Sequence, residues 1–150
     1  MSQIETILNN ALEEALSREF VLEYAKTVTV VGELNYRPIN VMISGLSGMG
    51  KTAMIRQWGK DHCEEINFVE MDAAMLKPAL LEGKKILFST AEIEALSKPH
   101  TVLFVDNYQC LSKEAEEELN KLMDYRKVEE IDGEKTLGNI LFTVVAMTVN

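Results

Sequence analysis

The stretch "INVMISGLSGMGKT", residues Ile39 to Thr52, decides the fold because it joins an apolar run to a glycine-rich turn. The run from Ile39 to Ser44 has the length and composition of a strand buried inside a sheet. Residues 51 to 61 follow with the pattern of a helix. A buried strand, a glycine-rich turn and a helix in this order predict a turn at the end of a sheet that faces a ligand.

The turn has the spacing of a phosphate-binding loop, Gly45-x-x-x-x-Gly50-Lys51-Thr52. In such a loop the backbone N–H groups surround the phosphates, the lysine reaches the β- and γ-phosphates, and the threonine hydroxyl binds Mg²⁺. The alternative is a glycine-rich turn with an incidental lysine. We predict a nucleoside triphosphate site formed by Gly45, Leu46, Ser47, Gly48, Met49, Gly50, Lys51, Thr52 and Ala53.

Three further apolar runs have the composition of buried strands, and helical patterns separate them. A capping box of Ser89 and Glu92 and an N-cap at Ser112 each begin one of these helices. Strands that alternate with helices predict an α/β fold with a mostly parallel sheet between two helical layers, as in P-loop NTPases. The three runs are Ile66 to Glu70, Thr101 to Asp106 and Ile140 to Thr148.

Two further elements flank this pattern. Apolar residues recur every three or four positions from Ser2 to about Lys26, which predicts an N-terminal amphipathic helix followed by an irregular connector. Asp132-Gly133 is a tight-turn signal, which predicts a β-hairpin inserted before the last strand. We predict one domain, with helix and connector over residues 1 to 38 and the P-loop core over 39 to 150.

Composition excludes several classes of protein. The 150 residues carry a net charge of −9, which disfavours nucleic acid as a partner. Cys63 and Cys110 lack the spacing of a disulfide or zinc framework, and Cys63 with His62 has no second pair of metal ligands. No apolar run has the length of a membrane helix, and the N-terminus lacks a signal peptide. The sequence predicts a cytoplasmic protein that does not contact membranes.

Asp106 ends the apolar strand "TVLFVD". Any strand can end in an aspartate, but in a P-loop protein a carboxylate at this place supports Mg²⁺. We therefore predict Thr52 and Asp106 as the metal-binding residues.

With these motifs, the hairpin region "MDYRKVEEIDGEKTL" and the final "FTVVAMTVN", the chain resembles an AAA+ ATPase and is most similar to the MoxR-like branch. The resemblance implies five parallel strands with the P-loop strand central, ATP with Mg²⁺ as the bound nucleotide, and a homo-oligomeric ring that remodels protein clients. It places Asn150 at the position that senses the γ-phosphate; the alternative is a frayed terminal asparagine. The adenine contacts do not follow from it, because "VVG" at Val30 to Gly32 lies close to the P-loop strand.

The chain departs from the family at Asn107, where the family has a glutamate that orients or deprotonates the attacking water. An amide binds water but does not accept its proton, and a lost general base costs a factor of about 10² to 10⁴ in rate. Glu70, Asp72 and Asp124 are interpreted as surface or capping groups rather than substitutes. We predict Lys51, Asp106, Asn107 and Asn150 as the catalytic set, with impaired hydrolysis.

The chain also stops before the helical lid and the arginine finger of the family, so we expect both to be absent from it. Three functions stay open: the ATP–Mg²⁺ binding core of a protein-remodelling ATPase, a nucleotide-dependent interaction module without hydrolysis, and a small-molecule kinase. A partner surface is predicted beside the hairpin; the alternative is that its lysines are simply solvated. Its residues are Lys113, Lys121, Arg126 and Lys127.

Overall fold

The computed structural model describes residues 2–27, 36–46 and 48–149, and of residues 24–27 it describes the backbone alone. The main strands are β1 (Asn40–Gly45), β2 (Asn67–Asp72), β5 (Thr101–Asp106) and β8 (Ile140–Thr148). The helices are α1 (Gln3–Thr27), α2 (Lys51–Asp61), α3 (Thr90–Leu96) and α4 (Lys113–Tyr125). Two short hairpins add β3 (Ala79–Leu81) with β4 (Lys84–Ile86) and β6 (Lys127–Glu130) with β7 (Gly133–Thr136).

The main sheet has the order β1-β8-β5-β2, and every pair in it is parallel. The predicted α/β fold is confirmed, and the bounds of β5 and β8 are those predicted. The expectation of five strands with a central β1 is wrong for the described residues, which form four strands in this sheet. Strand β1 lies at the edge of this sheet, because β8 is its only neighbour among the described residues.

Two hydrophobic cores cover the two faces of the sheet, since side chains alternate along each strand. In β5, Val102 and Phe104 face α1 and α2, whereas Leu103 and Val105 face α3 and α4. The sheet is therefore the middle of three layers. No helix among the described residues is long and apolar enough to cross a membrane.

The predicted N-terminal helix is present as α1, but its inward face is shorter than predicted. Leu8, Leu12 and Ala15 are buried in the core with α2, whereas Leu16 and Leu22 remain more than one third exposed. Its first half therefore packs more closely against the sheet. The Val30 to Gly32 segment lies outside the described residues.

The predicted hairpin is confirmed as β6 and β7, which pair around Asp132. The β3–β4 hairpin was not predicted from the sequence. Its turn residues Glu82 and Gly83 both have positive φ, 51° and 79°, the pattern of a type I′ turn. Lys84 Nζ joins the two hairpins by donating to the carbonyl of Ile131 at 3.0 Å.

Arg126 is buried, so its predicted place on a partner surface is wrong. It ends α4 with a φ of 56°, and its guanidinium donates to the carbonyls of Ile39, Leu122 and Met123 and to Asn40 Oδ1. Burial lowers its pKa to about 10. The arginine therefore holds the end of α4 against the beginning of β1.

Candidate nucleotide-binding site

The glycine-rich loop connects the end of β1 to the beginning of α2 at the carboxyl edge of the sheet. Gly48 and Gly50 have φ values of 82° and 76°, which L-residues adopt only with strain. Gly50 is the N-cap of α2 and offers no side-chain cap. Because the first N–H groups of a helix have no partners within it, those of α2 are available to an anion. Ser47 lies outside the described residues.

The side chain of Lys51 folds back over this loop. Its Nζ donates to the carbonyl oxygens of Gly45 and Leu46 at 3.1 Å and 3.0 Å, and only 9% of the residue is exposed. No salt bridge of Lys51 with a carboxylate occurs within the described part of the chain. The two carbonyls are neutral partners, so no described carboxylate competes with an anionic ligand for this side chain.

Thr52 and Asp106 meet although 54 positions separate them in the chain. The hydroxyl of Thr52 lies 3.0 Å from both carboxylate oxygens of Asp106. One hydroxyl and one carboxylate are hard oxygen ligands, and Mg²⁺ sites in nucleotide enzymes use one or two such groups together with phosphates and water. The residues present therefore fit Mg²⁺. A group of three or more His, Cys, Asp or Glu arranged for a metal does not occur among the described residues.

Asn107 follows Asp106 in the left-handed region, with a φ of 56°. Asparagine adopts this conformation more readily than most residues. Its backbone N–H donates to Asp106 Oδ1 at 2.9 Å, and its Nδ2 donates to Asp72 Oδ1 at 3.1 Å. Asp72 also caps the 3₁₀ turn Ala73–Met75 by accepting from the N–H of Ala74, which confirms its interpretation as a capping group. The contact of Asp72 with Asn107 was not predicted from the sequence.

The end of β8 lies beside the loop. The N–H of Val149 donates to the carbonyl of Gly45 at 3.0 Å, and the N–H of Thr148 donates to Gln109 Oε1 at 3.0 Å. Asn150, the predicted sensor, lies outside the described residues. Gln109 is a residue of this edge that no sequence motif indicated.

A charged pair, Arg56 and Glu70, lies near the carboxyl edge of the sheet. Arg56 of α2 forms hydrogen bonds to both carboxylate oxygens of Glu70, the shortest at 2.6 Å. The bond to Glu70, followed by attraction to Glu70, Asp106 and Asp72, raises the pKa of Arg56. Glu70 is thus engaged by Arg56.

His62 has a plain structural role. Its Nδ1 lies 2.8 Å from the carbonyl of Trp58, and the two rings stack with 4.4 Å between their centroids. Cys63 beside it is an exposed free thiol. The contacts of His62 therefore tie its ring to the end of α2.

An open groove with a volume of about 490 Å³ adjoins the loop. It runs between the beginning of α1, the exposed edge of β1 and the first turn of α2. Its walls are mainly apolar and include Ile4, Ile7, Met42, Leu46, Met49 and Met54, and Gly45 and Lys51 line it next to the loop. A second cavity of about 370 Å³ lies at the opposite edge of the sheet, away from the glycine-rich loop.

Comparison with solved structures supports the fold. NtrX from Brucella abortus in complex with ATP superposes with a TM-score of 0.53 at 18% identity over 100% of this chain. The ADP complex of NtrX gives 0.52 at 18% identity over 92%. The chain spans 30% and 35% of those two proteins. A search of curated proteins found no match.

A family model supplies the assignment that the fold alone does not. The model described as "ATPase family associated with various cellular activities (AAA)" matches residues 41–150, which include the glycine-rich loop, Asp106 and the β6–β7 hairpin. On this match the chain belongs to the AAA family of ATPases.

Proposed function

We propose that this chain binds ATP with Mg²⁺ through the loop of residues 45–53. The observation that carries the proposal is the meeting of three groups at one edge of the sheet: the buried Lys51 ammonium, the Thr52 hydroxyl and the Asp106 carboxylate. They lie beside a helix N-terminus that has no side-chain cap. Such an arrangement suits a polyanion with its counterion.

Each group has a distinct task in this proposal. The N–H groups of the loop and of the first turn of α2 bind phosphate oxygens. Lys51 exchanges its bonds to the Gly45 and Leu46 carbonyls for the β- and γ-phosphates. Thr52 and Asp106 hold Mg²⁺, which neutralises charge on the phosphates when it is bound.

The nucleobase fits the apolar groove beside the loop. Its volume of about 490 Å³ lies within the range of small-molecule sites. The side chains of Met42, Met49 and Met54 are 39% to 63% exposed, and a planar base would cover them. Methionine adapts to flat aromatic surfaces. Family membership favours adenine as the base.

Slow hydrolysis is the second part of the proposal. Asn107 offers an amide to the attacking water and cannot accept its proton. We propose that the chain is the core of a MoxR-like, protein-remodelling ATPase ring. The order of the P-loop, the acidic strand end, the hairpin and the last strand supports this assignment. A nucleotide-dependent interaction module without hydrolysis is the alternative, and Asn107 favours it.

Displacement of a fluorescent ATP analogue tests the binding proposal. Unlabelled ATP should displace the analogue in the presence of Mg²⁺ and do so less well when EDTA is added, and GTP should compete poorly. If unlabelled ATP does not displace the bound analogue, the proposal is contradicted.

Steady-state phosphate release then separates the two functions. We expect slow release from the unaltered chain and faster release from Asn107→Glu, although glutamate is strained at a φ of 56°. Asn107→Asp tolerates this conformation better and is the matched variant. Release at a rate typical of ATPases, on the order of 1 s⁻¹ or more, from the unaltered chain contradicts the proposed impairment.

A further inference from the structure

A cavity of about 370 Å³ at the amino edge of the sheet, away from the glycine-rich loop, has no role in the function proposed so far. It lies between α1 and the beginnings of β1 and β8, and the turn before β5 also lines it. Its volume is within the range of small-molecule sites. We call it the amino-edge cavity; the apolar residues of its wall include Ala15, Leu22, Pro38, Ile39, Pro99 and Leu141.

The arginines of the chain are concentrated at this cavity. The sequence contains four arginines, and three of them line it: Arg18, Arg37 and Arg126. The chain as a whole has a net charge of −9, so this grouping is not part of a generally basic surface. Neither Arg37 nor Arg126 forms a salt bridge within residues 2–27, 36–46 and 48–149. Two positive charges at the cavity therefore have no carboxylate partner in the described structure.

Arg126 is the buried member of the three, with 7% of the residue exposed. Its Nη1 and Nη2 groups donate to four neutral oxygens, and its Nε–H has no acceptor among the described residues. Every fully buried side-chain nitrogen in the described part of the chain has a partner, so Nε is not sealed from solvent. Because burial lowers the pKa of Arg126 to about 10, an anion in the cavity would stabilise its charged form. The residue can do this while it keeps its bonds between α4 and β1.

Arg18 holds the segment before β1 against α1. Its Nη1 donates to the carbonyl of Arg37 at 2.6 Å, and its guanidinium lies 5.0 Å from the centre of the Tyr36 ring. Its Nε pairs with Glu14 at 3.0 Å. The backbone of Arg37 is thus fixed at the cavity, while its own guanidinium has no hydrogen-bond partner among the described residues.

The acids of the wall decide which anion suits the cavity. Glu19 and Glu23 of α1 both line it. Glu19 Oε1 lies 2.9 Å from His100 Nε2, a contact that joins α1 to the turn before β5. Three arginines against two glutamates leave an excess of one positive charge. This balance favours a ligand with one negative charge over a polyphosphate, which the two glutamates would repel.

We propose that the amino-edge cavity binds a small organic carboxylate. Its apolar body lies against Leu22, Ile39 and Leu141. Its carboxylate accepts two N–H groups from the Arg37 guanidinium, the geometry in which arginine binds carboxylates most strongly, with the charge of Arg126 nearby. The site is separate from the glycine-rich loop and does not depend on nucleotide binding.

The test is an NMR titration of the ¹⁵N-labelled chain with three probes. Benzoate has the proposed chemistry, benzyl alcohol has the same ring without the charge, and acetate has the charge without the ring. Benzoate should shift the amide signals of His100, Asn139 and Leu141 saturably, with a Kd on the order of 1 mM, and leave those of Gly48 and Gly50 in the nucleotide loop unchanged. Benzyl alcohol and acetate should each bind at least about tenfold more weakly.

Variants of Arg37 then test the residue assigned to the carboxylate. Arg37→Met should raise the Kd of benzoate about tenfold, and Arg37→Lys should raise it less, because lysine keeps the charge but not the paired donors. Lys60→Met, which removes one positive charge from the last turn of α2, is the matched control and should leave the Kd unchanged. If Arg37→Met fails to fold, the comparison of benzoate with benzyl alcohol on the unaltered chain carries the test.

Three results overturn the inference: shifts that do not saturate, equal Kd values for benzoate and benzyl alcohol, and an unchanged Kd in Arg37→Met. Equal Kd values for benzoate and acetate overturn the part assigned to the apolar wall. Shifts at Gly48 and Gly50 in place of His100 and Asn139 would assign benzoate to the nucleotide loop and also overturn it. Failure of the chain to bind ATP is a separate result, since it concerns the other edge of the sheet.

Discussion

The two ends of β1 carry polar groups that serve different purposes. At its beginning, Asn40 Oδ1 accepts from the Arg126 guanidinium at 3.0 Å and from the Thr143 hydroxyl at 2.6 Å. At its end, Gly45 accepts from the Lys51 ammonium and from the N–H of Val149. The first network joins α4, β1 and β8 to one another, whereas the second lies on an open groove.

The two networks differ in the hydrogen-bond partners of their buried cations, Arg126 and Lys51. Arg126 binds four oxygen atoms, two in the last turn of its own helix and two of Ile39 and Asn40 in a distant part of the chain, so it joins α4 to β1. Lys51 binds two carbonyls of its own loop, five and six residues away, which fix little beyond that loop. A buried charge that stabilises nothing distant is available to a ligand. The number and origin of the partners thus separate a structural cation from a binding one.

The largest change in stability is expected at the beginning of β1, where Arg126 binds. Arg126→Met should lower the free energy of unfolding by about 3 kcal/mol, because it removes the four hydrogen bonds by which the buried guanidinium joins α4 to β1. Nucleotide affinity should stay within twofold. Urea denaturation gives the first quantity and calorimetry the second. Arg37→Met, at an exposed arginine, is the control and should change neither.

Gly59→Ala tests whether lost stability alone affects the site. A Cβ at Gly59 would lie 2.6 Å from the ring of Phe68, so α2 or the ring must shift at a cost of about 2 kcal/mol. We expect a lower denaturation midpoint with unchanged nucleotide affinity at 10 °C. At Gly138 a Cβ meets nothing within 4 Å, which makes Gly138→Ala the matched control. A large loss of affinity in Gly59→Ala would show that lost stability alone weakens nucleotide binding.

Thr52→Val acts at the end of β1 that carries the glycine-rich loop. It removes the hydroxyl that contacts Asp106 and retains the size of the side chain. The gain in ATP affinity that Mg²⁺ provides should fall about tenfold, the value of one hydrogen bond to a charged group. Titration of ATP with and without Mg²⁺ measures this gain. Thr136→Val in the exposed β7 strand should leave it intact; equal effects of the two changes would argue against a metal ligand at Thr52.

The smallest effect concerns Tyr108, which follows Asn107. Burial, with the nearby charges of Glu116 and Asp124, raises the pKa of Tyr108. The folded chain therefore favours the neutral phenol. This stability is complete below the ordinary pKa of about 10 and is lost as the pH rises through the raised folded value. Melting temperatures from pH 8 to 11 should decline less steeply for Tyr108→Phe; identical slopes would contradict the assigned shift.

Much of the fold follows from local sequence patterns. Strands β5 and β8 have the predicted bounds because their runs are almost wholly apolar, and the capping box of Ser89 and Glu92 is present because it needs only four residues. The β3–β4 hairpin was missed, since its strands are three residues long and largely exposed. Short exposed strands leave no apolar period to detect.

The site could be predicted only where a motif gives residues fixed positions. The loop and Asp106 carry such positions. The contact of Asp72 with Asn107 spans 35 positions, and the contact of Arg126 with Asn40 spans 86. Such pairs depend on how strands and helices pack together, so no local sequence pattern indicates them. The roles of Ser47 and Asn150 stay predictions.

Whether the glycine-rich loop binds a triphosphate is measured by calorimetric titration of Mg²⁺ with a non-hydrolysable ATP analogue into the unaltered chain and into Lys51→Ala. We expect saturable binding to the unaltered chain, a loss of about 10- to 100-fold in affinity for Lys51→Ala, and an unfolding free energy changed by less than about 0.5 kcal/mol in that variant. Lys60→Ala, on the exposed last turn of the same helix, should bind as the unaltered chain does. Equal affinities for the unaltered chain and Lys51→Ala, or no heat of binding to either, would contradict the proposed nucleotide site.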